Sequence, residues 1–128
     1  MGVEVEGTCL ECGETFSVSH GGGFFFHLVR CEACGSTKSI TFEELGLVHL
    51  RYLKGLTVPY AVVSMPLDTF VQEELPIEPL SGEDYRRAID ALAGDCSCRG
   101  KFTLGAPPRC PACRSTHIDE GEITIFYD

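Results

Sequence analysis

The chain has 128 residues, is 44% hydrophobic and carries a formal net charge of −9. That length allows one domain or two very small ones, the apolar content excludes wholesale disorder, and no apolar run approaches the ~18 residues of a membrane span. The acidic field repels nucleic acid and anionic membranes at long range and favours basic partners.

The opening MGVEVEG has neither a basic n-region nor an apolar h-region, so a cytoplasmic location is expected, with no membrane partner. Cys9 and Cys12 follow as a C-x-x-C pair. From Glu14 to Ser19 apolar and polar residues alternate around Phe16 and Val18, Gly21-Gly22-Gly23 interrupts, and Phe24 to Val29 forms a second apolar, aromatic run. This predicts a β-hairpin with a glycine tip. Alternation puts Phe24 and Phe26 on one face and Phe25 and His27 on the other. Either the central helices cover the second face or Phe25 is exposed as a protein contact.

Cys31 and Cys34 come next, inside the phrase RCEACGST, residues 30–37. Thr41-Phe42-Glu43-Glu44 is a capping box, and Leu45, Val48, Tyr52 and Leu53 follow at helical spacing before Gly55. A strand over Tyr60–Met65 and a short helix over Asp68–Leu75 are expected. Pro76 to Pro79 is extended. Ser81-Gly82-Glu83-Asp84 begins another helix, with a stripe of Tyr85, Ala88, Ile89 and Leu92 and a stop at Gly94.

Cys96-Ser97-Cys98 opens the last third. Lys101–Leu104 reads as a strand, and Gly105 to Pro108 as a turn. RCPACRST, residues 109–116, then repeats six of the eight letters of the earlier phrase and contains Cys110 and Cys113. Asp119-Glu120-Gly121 is a turn, and Ile123–Tyr127 a final strand with Ile123, Ile125 and Tyr127 on one face.

All eight cysteines therefore fall in four close pairs: Cys9, Cys12; Cys31, Cys34; Cys96, Cys98; and Cys110, Cys113. Two thiolates on one tight turn can face the same point only at such spacings, and a second turn must return to complete a tetrahedron. In sequence order this gives one site from Cys9, Cys12, Cys31 and Cys34 and another from Cys96, Cys98, Cys110 and Cys113. A disulfide framework is the lesser alternative, since nothing marks the chain as secreted and a bridge within C-x-x-C closes a very short loop. Two Zn²⁺ ions are the expected cofactors. If Cys96 or Cys98 fails as a ligand, His117 is the substitute. His20, His27 and His49 are read as structural or surface residues.

The C-x-x-C-G and C-P-x-C knuckles resemble those of the zinc ribbon superfamily, with the likeness confined to residues 9–42 and about 96–127. The resemblance implies two zinc-ribbon β-hairpin modules, residues 1–42 and 96–128. With the helices read from the spacing of residues 43–95, which offer apolar surface for both modules to pack on, the expected fold is α+β, the modules flanking a small helical centre in one compact unit. Rubredoxins share C-P-x-C, which keeps Fe and a rubredoxin-like electron carrier among the alternatives.

The chain has no H-E-x-x-H, G-x-S-x-G or P-loop motif, and a closed Cys₄ site leaves no position for a catalytic water. No catalytic residue or further cofactor-binding residue is assigned. The leading expectation is a non-catalytic adaptor with a protein partner. A nucleic-acid-associated role is the alternative, using Arg99, Lys101, Arg109 and Arg114, against the simpler reading that these side chains donate to knuckle carbonyls.

Overall fold

The computed structural model describes residues 2–23, 25–60 and 65–127. The mixed α+β class holds: the described residues form two small antiparallel sheets and four helices. The first sheet has the order β2-β1-β6, from β1 (Gly2–Cys9), β2 (Thr15–His20) and β6 (Ile118–Tyr127). The second has the order β4-β3-β5, from β3 (Phe26–Cys31), β4 (Thr37–Thr41) and β5 (Phe102–Thr103).

This corrects the expected hairpin across the glycines. β2 pairs with β1, in the register Val5↔Val18, and β3 pairs with β4 and β5, so the two runs lie in different sheets. The glycine segment is a crossing between sheets. β1 supplies the missing partner. Its alternation of Val3 and Val5 with Glu4 and Glu6 is a half-buried strand pattern that sequence reading passed over. β6 runs straight through the turn expected at 119–121. It pairs with β1 through two irregularities, placing Ile123 opposite Val5 but Ile125 opposite Glu4. Neighbouring β1 residues point to opposite faces, so Ile123 and Ile125 do not share one as expected. Of the expected strand at Tyr60–Met65, residues 61–64 fall outside the described residues, as does Phe24, while Met65 belongs to a helix and Tyr60 to no strand.

The capping box forms as expected: Thr41 accepts from the Glu44 N–H, and the Glu44 carboxylate accepts from the Thr41 N–H. The helix it starts is short. α1 (Phe42–Leu45) stops at Gly46, whose φ of 55° and ψ of −123° favour glycine. α2 (Leu47–Gly55) then continues in a new direction. α3 (Met65–Glu74) lies against α2, with Leu53 and Val71 buried. α4 (Gly82–Ala93) is N-capped by Ser81, which accepts from Asp84, and ends at Gly94. Its buried line is Tyr85, Ile89 and Ala93; Leu92 is exposed.

The main core joins the second sheet to the helices through Val29, Cys31, Ile40, Leu45, Tyr85, Ile89, Ala93 and Phe102. Lys38 fastens β4 to α4 by donating to the Ala93 carbonyl at 3.0 Å, where the helix C-terminus attracts a cation. Contacts made by β3 join the sheets. Arg30 on β3 donates to the carbonyls of Ser19 on β2 and Ala106, and Phe26 stacks on Tyr127.

Tyr85 is also the polar centre of this core. Its hydroxyl lies 2.8 Å from His27 Nε2 and 2.7 Å from His49 Nδ1, with Phe42 stacked on His49 at 3.9 Å. One hydroxyl proton can serve only one imidazole, so the other imidazole must donate to the phenol oxygen. Burial lowers the His27 pKa, and burial followed by the charge of His27 lowers His49 to about 4. Both rings are therefore neutral in the fold.

Tyr85→Phe should cost about 2 kcal/mol, two net hydrogen bonds, read as a shift in urea midpoint. The sign of the pH effect follows from the lowered histidines. Below the ordinary value of 6.5 the unfolded chain takes up protons that the fold refuses, so stability falls as pH drops from there toward about 4. His49→Gln should lose less stability than the parent between about pH 7 and about pH 4.5. Parallel curves for the two chains would assign the acid sensitivity elsewhere.

Candidate metal centre

Four knuckles carry the cysteines, and they are built alike. The first-cysteine N–H donates to a carbonyl beyond the knuckle: Cys9 to Glu14, Cys31 to Ser36 and Cys110 to Ser115, at 2.8–2.9 Å. A return bond then reaches the first-cysteine carbonyl, from Gly13 to Cys9, Gly35 to Cys31 and Arg114 to Cys110. The C-x-C knuckle is the same turn with one residue removed. Cys96 donates to Gly100 at 2.7 Å, and Arg99 donates back to Cys96 at 2.9 Å. The residue after each second cysteine has positive φ: Gly13 79°, Gly35 81°, Arg99 76° and Arg114 64°. Gly100, one residue further on in the third knuckle, does not take the positive-φ position. Gly100 instead permits close approach, since a Cβ there would lie 2.6 Å from Cys31 Sγ and from Ala33 Cβ.

The knuckles do not pair in sequence order. Cys9 and Cys12 meet Cys110 and Cys113; Cys31 and Cys34 meet Cys96 and Cys98. Within each group all four Sγ atoms lie within 4.8 Å of one another. The expected quartets are therefore corrected to a nested arrangement, an outer group enclosing an inner one along the chain. The reason lies in the sheets. β1 delivers Cys9 and pairs with β6, which follows Cys113, while β3 delivers Cys31 and pairs with β5, which follows Cys98.

The cross-knuckle Sγ···Sγ distances are 3.5 Å for Cys9–Cys113 and Cys12–Cys110, 3.4 Å for Cys31–Cys98 and 3.7 Å for Cys34–Cys96. A tetrahedron with metal–sulfur bonds of about 2.3 Å has edges of about 3.8 Å, so both groups fit a four-thiolate ion. Backbone N–H groups point at the sulfurs, from Ala33 to Cys31 and from Gly100 to Cys98, both at 3.4 Å. The Cys12 N–H lowers the Cys9 thiol to about 7, and Ser36 lowers Cys34 to about 6. The Glu14 N–H favours the Cys12 thiolate, yet the adjoining Cys110 thiol and burial push Cys12 up to about 12. Four crowded thiols cannot all ionise on their own, and a divalent cation removes that conflict. Each Cys₄ group could hold one metal ion, two in all.

The two copies of the repeated phrase face each other across the groups. Arg109 Nε donates to the Glu32 carbonyl at 2.8 Å, and its Nη1 donates to the Arg114 carbonyl, also at 2.8 Å. Glu32 in turn donates to the Lys101 carbonyl. Arg109 thus takes the knuckle-carbonyl role that was weighed against phosphate binding. His117 is not drawn into a group; its Nδ1 pairs with Glu11 at 2.8 Å. His20 pairs with Glu120, and His27 and His49 hold Tyr85.

A family model covers residues 5–119, and the chain belongs to that family, described as a domain of unknown function, DUF8255. No curated protein and no solved structure matches it. No helix among the described residues is long and apolar enough to cross a membrane.

Nested pairing has a stoichiometric signature. Cys12→Ser with Cys113→Ser damages one group and should leave one metal ion per chain by elemental analysis. Cys12→Ser with Cys34→Ser damages both and should leave none. Pairing in sequence order requires the opposite pattern for these two double variants.

Proposed function

We propose that the protein is a zinc-stapled, non-catalytic adaptor in which two structural Zn²⁺ ions hold the two halves of the chain together for binding another protein. All eight cysteines would be ligands, four to each ion. The closed four-thiolate sets and the N–H···S bonds support zinc in a structural role. On this reading the metal replaces a core that the small first sheet does not build for itself.

The observation that carries the binding role is Phe25, which is 66% exposed. Its neighbour Phe26 stacks on Tyr127, whose hydroxyl lies 2.7 Å from the Gly21 carbonyl and 3.0 Å from that of His20 and has one proton to donate to the pair. Phe126, next to Tyr127, is 68% exposed. Two large apolar side chains thus flank a fixed aromatic pair at the junction of the sheets. An aromatic side chain on a rigid base is the kind of anchor that dominates protein interfaces. A nucleic-acid role is weaker, because Arg109 is spent on carbonyls and the net charge is −9.

Purified protein should contain two zinc ions per chain and lack the red colour of a four-thiolate iron centre. Phe25→Ala should leave the melting temperature nearly unchanged and weaken a protein partner isolated from the native cell by about 2 kcal/mol. A large drop in melting temperature, with binding intact, would show Phe25 to be a stability residue and remove the main support for the adaptor reading.

A further inference from the structure

β6 is ten residues long and is hydrogen-bonded to β1 on one side only among the described residues. All eight of its residues between Ile118 and Tyr127 are exposed, including Ile123, Ile125 and Phe126. An open edge of this length leaves a row of N–H and C=O groups able to pair with another strand. Edges that must stay alone are usually shortened or carry lysine; this one does neither. The strands of its sheet bear Glu4, Glu6, Asp119, Glu120 and Glu122 and no Lys or Arg. His20 offsets Glu120 only when protonated. The charge is also graded along β6: three of the four residues at 119–122 are acidic, and apolar residues dominate 123–126.

We infer that β6 is the docking edge for an extended segment of a partner protein, which adds as a fourth strand with a basic half beside residues 119–122 and an apolar half beside residues 123–126. Main-chain bonds supply the pairing, and the graded side chains set direction and register. A second copy of this chain is the poorer occupant, because β6 has no basic half to offer: antiparallel self-pairing would set the acidic residues of one copy beside apolar residues of the other. This inference rests on the protein-binding reading proposed above and places the contact on a specific edge.

The test uses the metal-loaded protein and a blocked peptide as long as β6, Val-Thr-Val-Thr-Val-Lys-Thr-Lys-Lys-Thr, which when antiparallel sets its lysines beside Glu122, Glu120 and Asp119 and its valines beside the apolar half. A shuffled peptide of the same composition is the control. The matched peptide should bind more tightly than the shuffled one and slow hydrogen exchange at β6 amides. Asp119→Lys with Glu122→Lys should weaken it about tenfold while metal content stays at the parent value. Equal binding of the two peptides would reduce the effect to unspecific attraction and overturn the inference. So would protection outside β6, or β6 amides already protected in a dimer seen by sedimentation. If a cellular partner depends on Phe25 but leaves β6 exchange unchanged, the edge fails and the adaptor reading stands; if no partner depends on either, both fail.

Discussion

Four cysteine knuckles can be joined in three ways, and the choice among them decides which distant segments of this protein share a sheet. Joined in sequence order they would make two independent hairpin clips. Joined as nested pairs they force the early and late parts of the chain into the same sheets. The outer group links residues 98 and 104 positions apart, and the inner group links residues 62 and 67 apart. The entropy of closing such loops rises only slowly with length, so the long reach costs little more than a short one. What it achieves is mutual dependence. β1 cannot present Cys9 correctly unless β6 lies beside it, and β5 positions the Cys98 knuckle because it pairs with β3.

The protein keeps its charges near these centres in a consistent way. Each four-thiolate ion would carry a formal charge of −2, and an arginine heads each copy of the repeated phrase. Arg30 and Arg109 spend their donors on carbonyls of neighbouring segments. These bonds tie each phrase to the segments packed around it. The repetition therefore marks a shared turn with a shared fastener.

Much of this was legible in the sequence, and the parts that were not share a cause. The cysteine pairs, the capping box at Thr41, the N-cap at Ser81 and the stop at Gly94 are local signals, and each appears where expected. Which knuckle meets which depends on strand pairing between distant segments, and local spacing holds no record of that. The Val3/Val5 alternation was a readable strand signal, but without a partner it pointed nowhere. Gly46 was overlooked because the capping box and the apolar spacing on either side of it agreed on one helix; only its backbone angles reveal the break. The face of Ile125 was misread because the irregular pairing with β1 shifts the alternation, and such bulges answer to the partner strand. Cys96-Ser97-Cys98 was the doubtful half-site; its backbone bonds make the shorter spacing the ordinary turn less one residue, and both sulfurs lie in the inner group.

Nested pairing also has a temporal side. A chain made from its N-terminus forms what it can as it emerges. In a sequential arrangement the first site would close once Cys34 was out. Here Cys9, Cys12, Cys31 and Cys34 must wait, because their partners begin at Cys96. The inner group can be completed first, when Cys98 appears, and the outer group last, when Cys113 does. During that interval four thiols are open to oxidation and to competing metals. The order of synthesis thus runs inside out, and the last knuckle made is the one that locks the first.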